Sequence, residues 1–113
     1  MAAFENIEQI SAWQKARELT QLIYRISNGT AFSKDFALRD QIRRAGVSIM
    51  SNIAEGYERS GTGEFVQFLS IAKGSVGEVI SQLYVAHDQR YISDQEFQQL
   101  SRLAKETGRI IAG

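Results

Sequence analysis

The sequence predicts an all-α protein, an antiparallel up-down-up-down four-helix bundle in which residues 1–113 form a single domain. Three observations lead to this prediction. The 113 residues include no proline, which would interrupt a helix by removing a backbone N–H. Apolar residues make up 43% of the chain and recur at three- and four-residue spacing in four segments. Short polar breaks separate these segments, and short connections between long amphipathic helices are typical of antiparallel neighbours.

The first two helices are predicted at residues 7–27 and 34–57. Asn28 and Gly29 end the first helix, because both residues tolerate the left-handed backbone conformation of a helix C-cap. Ser33 is placed to cap the N-terminus of the second helix with its hydroxyl. The apolar face of the second helix consists of Leu38, Ile42, Ala45, Ile49, Ile53 and Gly56.

The third helix is predicted at residues 64–88, after a turn at residues 58–63 that is rich in Gly, Ser and Thr. The fourth helix follows Ser93, which is predicted to form a capping box with Glu96. A glycine inside a helix costs about 1 kcal/mol relative to alanine. We therefore expect another backbone, of the same or a neighbouring subunit, to approach the small side of the third helix; local looseness is the alternative. The small residues on that side are Ser70, Gly74, Gly77 and Ser81.

Composition argues against several classes of function. Thirteen basic and thirteen acidic residues cancel, which disfavours a strongly basic nucleic-acid or membrane binder. The chain has no Cys and a single His, His87, which excludes thiolate catalysis and Cys- or His-rich metal sites. We expect no enzymatic activity, no metal and no cofactor. The sequence shows neither a signal peptide nor a long apolar run, which predicts a cytoplasmic protein without a membrane partner.

Helix two carries two further rows of residues beside its apolar face. A polar row so close to a core usually hydrogen-bonds to a neighbouring helix, because unpaired burial is costly; a ligand-binding cleft is the alternative. An apolar row on the back of the helix predicts an oligomer interface, since an isolated bundle needs only one buried face. Scattered surface apolar residues are the alternative to that interface. The polar row is Gln41, Ser48, Asn52 and Glu55, and the apolar row is Val47, Met50, Ala54 and Tyr57.

Basic residues cluster on helix two. Arg39 and Arg43 lie one turn apart, and Arg44 follows them directly. Arg59 and Lys73 are the other candidates for the same surface. In a monomer, acidic neighbours would neutralise much of this cluster. In a ring, the cluster would repeat around the axis and gain avidity for a long polyanion.

The stretch from Leu38 to Tyr57, which reads LRDQIRRAGVSIMSNIAEGY, resembles a known signature. It is similar to the helix-two motif of the bacterial four-helix bundle family named for proteins encoded in intervening sequences of 23S ribosomal RNA genes. The resemblance covers nearly the whole chain. Three further pieces agree with the pattern: Ala12 to Ala16, Glu64-Phe65 with Phe68-Leu69, and Ile71 to Ser75 with Glu78.

The resemblance implies an antiparallel four-helix bundle and a homopentamer, the assembly of characterised relatives. Similar proteins include the accessory variability determinant of diversity-generating retroelements, which binds nucleic acid and a reverse transcriptase. No catalytic activity is implied by the motif. The motif positions that carry over to this chain are Gln41, Arg43, Arg44, Ser48, Asn52, Glu55 and Gly56.

Two hypotheses about function follow. In the first, a homo-oligomer binds structured RNA or a ribonucleoprotein through Arg39, Arg43 and Arg44, with Arg59 and Lys73 assisting. In the second, the oligomer is a protein–protein adaptor that binds no nucleic acid. Its arginines would then pair with carboxylates of a neighbour, and the candidates are Asp40, Glu55 and Glu58.

Overall fold

The computed structural model describes Asn6 and residues 10–59 and 61–113. These residues form four α-helices and contain no strand, which confirms the all-helical class. A short 3-10 helix, Phe32–Lys34, lies between the first two. The helices are α1 (Ser11–Ile26), α2 (Phe36–Glu58), α3 (Thr62–Asp88) and α4 (Asp94–Ala112).

The observed helix bounds differ from the predicted ones by a few residues. The start expected for α1 falls on residues 7–9, which lie outside the described residues. The prediction that Ser33 caps α2 is wrong, because the 3-10 helix occupies residues 32–34 and the cap falls on Asp35. The Asp35 carboxylate accepts a hydrogen bond from the Leu38 backbone N–H at 3.1 Å. The Ser33 hydroxyl instead donates to the Thr30 carbonyl at 3.3 Å.

The capping box predicted for α4 is present. Ser93 Oγ accepts from the Glu96 backbone N–H at 3.0 Å, and the Ser93 backbone N–H donates to the Glu96 carboxylate at 2.9 Å. Each bond satisfies an N–H that has no partner inside the helix. The start of α4 is therefore encoded locally.

The core lies along the helices, and the predicted apolar face of α2 is buried in it. α2 packs most extensively on α3, while α1 and α4 pack on each other and each on one of these two. The particle is elongated, with extents of 44 × 23 × 19 Å. The largest side chains that are fully buried are Phe32, Leu19, Ile23, Ile42, Ile49, Ile53, Leu83 and Leu100.

Two kinds of helical glycine are distinguished by their surroundings. A Cβ on Gly56 would lie 3.0 Å from Phe68 Cβ and 3.1 Å from the Phe65 ring, so the absence of a side chain lets α2 and α3 approach closely. Apart from the backbone of α3 itself, no atom of the described residues lies within 4 Å of the corresponding position on Gly74 or Gly77. The backbone approach expected at the small side of α3 is therefore not found among the residues that the structure describes.

None of the helices in the described part of the chain has the length and apolar character needed to cross a membrane.

Candidate functional site

Three of the four residues in the polar row on α2 form contacts inside the chain. Ser48 Oγ lies 2.9 Å from Ser75 Oγ and links α2 to α3. Asn52 donates to the Ser48 carbonyl at 2.8 Å and to its hydroxyl at 3.0 Å. Gln41 is exposed, and Glu55 forms an ion pair with Arg59 at 3.0 Å. The row thus contains one hydrogen-bonded pair, Ser48 with Asn52, that also reaches α3, while Gln41 and Glu55 lie at the surface on either side of it.

Arg39 is held at the N-terminal end of α2. Its Nε donates to the Asp40 carboxylate at 3.0 Å, and a terminal nitrogen donates to the Ser33 carbonyl at 3.1 Å. The guanidinium carbon lies 4.9 Å from the centre of the Phe36 ring. These contacts fix the plane of the guanidinium at the protein surface.

Arg43 is held against α1. Its guanidinium donates to Ser27 Oγ at 2.8 Å and to the Asn28 side-chain oxygen at 2.9 Å. It also lies 4.6 Å from the centre of the Tyr24 ring. No carboxylate among the described residues neutralises it, since both hydrogen-bond partners are uncharged groups.

Arg44 differs from the other two arginines. Its guanidinium forms no hydrogen bond or ion pair with another of the residues that the structure describes, and the residue is exposed. It lies at the junction of two open clefts, which also share Ser48. The larger, of about 510 Å³, is lined by Tyr24, Asp40, Arg43, Arg44, Val47 and Ser48. The smaller, of about 370 Å³, is lined by Gln41, Arg44, Ala45, Ser48, Glu78 and Gln82.

Arg59 and Lys73 do not join this cluster. Arg59 follows α2 and is paired with Glu55 and, at 3.6 Å, with Glu64. At about 1.5 Å per residue, it lies roughly 24 Å along the helix from Arg43. Lys73 lines a groove beside the C-terminus of α4. We therefore define the basic patch as Arg39, Arg43 and Arg44.

Charge in this part of the chain is unbalanced, although the whole chain is neutral. Residues 19–54 contain five basic side chains and two acidic ones, so this segment carries a formal charge of +3. One of the two carboxylates, Asp40, is already paired with Arg39. Asp40 and Glu78 line the two clefts together with Arg43 and Arg44, so Arg39 is the third cation of a surface with two carboxylates.

The apolar row predicted as an oligomer interface is only partly free. Val47 is 42% exposed and borders the larger cleft. Met50 and Tyr57 are half-buried and pack against the core, and Ala54 is half-buried as well. Packing inside the subunit therefore accounts for much of this row.

Two aromatic residues of the site were not predicted from the sequence. Tyr24 and Phe36 are 42% and 64% exposed, and each lies against an arginine of the basic patch. The signal that could have found Phe36 was its position three residues before Arg39, which allows contact on one helix face. No local signal pointed to Tyr24, because it meets Arg43 only through the packing of α1 on α2.

The only histidine has a structural setting. His87 Nε2 lies 2.6 Å from an Asp94 carboxylate oxygen, and the imidazole stacks on the Phe97 ring at 4.5 Å between centres. These contacts tie the end of α3 to the start of α4. The described residues contain no cluster of three or more His, Asp or Glu side chains able to hold a metal ion.

A second polar link lies at the N-terminus of α2. The Tyr91 hydroxyl donates to the Asp35 carboxylate at 3.0 Å. This hydrogen bond, then desolvation, then the negative charge of Asp35 raise the pKa of Tyr91 above its usual value of 10.0. The Tyr91 ring also packs on Phe32, with 5.3 Å between centres.

These features define a class: an all-helical protein of four helices with a local basic patch. The family model described as 23S rRNA-intervening sequence protein matches residues 8–113. The chain therefore belongs to the 23S rRNA-intervening sequence protein family.

Comparison with solved structures supports the fold. The chain is similar to a protein of unknown function from the S23 ribosomal protein family of Bacteroides thetaiotaomicron, with a TM-score of 0.80 and 23% identity. The similarity covers 88% of this chain and 94% of that one. No curated protein matches the sequence.

Proposed function

We propose that this chain is a non-enzymatic homo-oligomer, a pentamer of antiparallel four-helix bundles, that binds structured RNA or a ribonucleoprotein through the basic patch. One observation carries the RNA-binding proposal. Arg44 has no partner among the described residues and lies exposed between two open clefts, next to an Arg43 that no carboxylate neutralises. A guanidinium in this state is ready to bind a phosphate.

The antiparallel arrangement is supported by the order of contacts between helices. Along α2 and α3, Ser48 is level with Ser75, and Gly56 is level with Phe68. Eight residues forward on α2 thus correspond to seven residues back on α3. The pairs Tyr84–Phe97 and Val76–Gly108 run in opposite directions along α3 and α4 in the same way.

Self-association is supported by the exposed surface. Val47 is exposed beside the basic patch, and Gly74 and Gly77 leave open space on the outer side of α3. Glycines there cost helix stability, and no described residue of the chain supplies a compensating contact. A neighbouring subunit would supply that contact, and a ring would repeat the basic patch around its axis.

The family is described as 23S rRNA-intervening sequence protein, a description that names an RNA without assigning a partner. The local charge of +3 within a neutral chain agrees with an RNA partner.

Anisotropy titration of a fluorescent RNA hairpin at low salt tests the RNA-binding proposal. We expect the wild type and Arg102→Ala to bind, because Arg102 is an exposed arginine on α4, away from the basic patch. Arg44→Ala should bind about tenfold more weakly or worse, since a charged hydrogen bond is lost. The double variant Arg43→Ala/Arg44→Ala should lose binding and keep its oligomeric state. Absence of wild-type binding, or equal binding by the double variant, would refute the proposal.

The second candidate function is an oligomeric protein–protein adaptor with no nucleic-acid binding. The exposed surface of α3 favours it, because several large apolar side chains of this helix reach solvent: Val66, Ile71, Tyr84 and Val85 are each more than 40% exposed. In that case Arg43→Ala/Arg44→Ala would dissociate the oligomer, and the hairpin would not bind to any variant.

A further inference from the structure

We infer that the basic patch binds unpaired nucleotides, whose bases stack on two arginine–aromatic pairs at its surface. This inference rests on the proposed RNA-binding function and names the part of the nucleic acid that is recognised. The two pairs are Arg39 with Phe36 and Arg43 with Tyr24.

The exposure of the Phe36 and Tyr24 rings is the first observation that supports base stacking. Phe36, at 64%, is the most exposed of the large apolar side chains that the structure describes, and Tyr24 is 42% exposed. A single exposed apolar residue is ordinary on a protein surface. Two aromatic rings that each lie against an arginine of the same patch form a surface on which planar groups can stack.

Preorganisation is the second support. Hydrogen bonds to Ser27 and Asn28 hold the guanidinium of Arg43, and hydrogen bonds to Asp40 and the Ser33 carbonyl hold that of Arg39. A base can stack on the outer face of a guanidinium or on an aromatic ring, and such stacking is largely independent of base identity. Because the planes are already ordered, little side-chain entropy remains to be lost on binding.

The spacing of the pairs distinguishes single strands from duplexes. Phe36 and Arg43 are seven residues apart, close to two turns of α2, and so lie on one face about 10 Å apart along the helix. Stacked base pairs follow each other at about 3.4 Å and cover one another's faces. A duplex therefore offers no exposed base faces at this distance, whereas an unpaired strand can present two bases with a nucleotide between them. Arg44, one residue beyond Arg43, remains available for a phosphate.

Anisotropy titrations with three labelled probes test the inference at one fixed salt concentration: oligouridylate, oligothymidylate of the same length, and a blunt RNA duplex. The key variants are Phe36→Ala and Tyr24→Leu, both at exposed positions. Each should weaken binding of the single strands by about 5- to 150-fold, the range for one base stack, and leave the duplex affinity unchanged. Equal losses for uridylate and thymidylate would identify the stacked base, rather than the 2′-hydroxyl, as the recognised group.

Two control variants isolate the contribution of base stacking to the affinity. Tyr24→Phe keeps the ring and should bind single strands like the wild type. Tyr84→Leu removes an exposed ring on α3, where it packs edge-on against Phe97, and should leave binding unchanged. Far-ultraviolet circular dichroism and urea unfolding check that every variant is folded.

Two outcomes would overturn the inference. In the first, Phe36→Ala and Tyr24→Leu bind single strands as tightly as the wild type does, and only Arg44→Ala binds more weakly. That result would leave the RNA-binding function intact but refute base stacking on the two rings. In the second, Phe36→Ala and Tyr24→Leu weaken the binding of single strands and of the duplex equally. That result would also refute base stacking, because the rings would then support binding of any nucleic acid to the basic patch. Absence of any binding by the wild type would refute both the function and this inference.

Discussion

Asp35 has two roles at a single position. One carboxylate oxygen caps α2 through the Leu38 N–H, and the other accepts a hydrogen bond from Tyr91, 56 residues later in the chain. The residue therefore stabilises the start of the helix that carries the basic patch and connects it to the segment between α3 and α4.

Replacement of Asp35 by alanine should destabilise the protein by about 1 kcal/mol through the lost cap. The matched control is Ser33→Ala, which removes a capping-type side chain that does not cap the helix and should change stability by less than about 0.5 kcal/mol. Urea unfolding followed by circular dichroism measures both. A larger effect for Ser33→Ala than for Asp35→Ala would restore Ser33 as the cap.

The hydrogen bond from Tyr91 to Asp35 predicts that the free energy of unfolding falls at alkaline pH. Because Asp35 raises the pKa of Tyr91 in the folded state above 10.0, the folded protein keeps this proton at pH values where the unfolded chain loses it. The contribution of the hydroxyl is thus fully present below about pH 10 and is lost as the pH rises through the folded-state pKa. The difference in unfolding free energy between wild type and Tyr91→Phe should be constant up to about pH 9 and shrink above pH 10. A difference that stays constant through the alkaline range would contradict this.

Glycines in α2 and α3 differ in whether the surrounding structure leaves room for a side chain. Gly56→Ala should destabilise the protein by about 1–2 kcal/mol, because its Cβ would press on Phe68 and Phe65 and the cost of overpacking exceeds the gain in helix propensity. Gly77→Ala, with open space around it, should stabilise an isolated subunit by up to about 1 kcal/mol. Thermal unfolding of both variants, at a protein concentration where the chain is monomeric, measures the contrast, and equal effects in the two would refute it.

The helices could be predicted from the sequence to within a few residues because each has a periodic apolar face. The face of α2 from Leu38 to Gly56 and the capping box at Ser93 depend only on local spacing. The cap of α2 could not be predicted, because Ser33 and Asp35 are both good capping residues and the intervening 3-10 helix decides between them.

The candidate site was only partly predictable for a related reason. Arg39, Arg43 and Arg44 are neighbours on one helix, so their clustering follows from the sequence. Which of them is free depends on distant partners, since Arg43 meets residues in and just after the last turn of α1, 15 to 19 positions earlier. The separation of Lys73 from the patch likewise results from helix packing.

At the scale of the whole molecule, the proposed pentamer has a direct test. Sedimentation equilibrium should give a mass near five times the chain mass of 12.7 kDa. Val47→Glu places a charge on the exposed apolar position beside the patch and should shift the equilibrium towards monomer. Gln98→Glu makes the same change in charge on the exposed surface of α4 and should leave the mass unchanged. A wild-type mass equal to one chain would refute self-association.

The salt dependence of RNA binding tests the central claim, that Arg44 is the free phosphate-binding cation of the basic patch. The logarithm of the binding constant of a single-stranded RNA is measured against the logarithm of salt concentration for the wild type, Arg44→Ala and Arg102→Ala. Each phosphate contact contributes about 0.7 to the slope for a single strand. We predict that Arg44→Ala reduces the slope by that amount and that Arg102→Ala leaves it unchanged. Identical slopes for all three proteins would contradict the account.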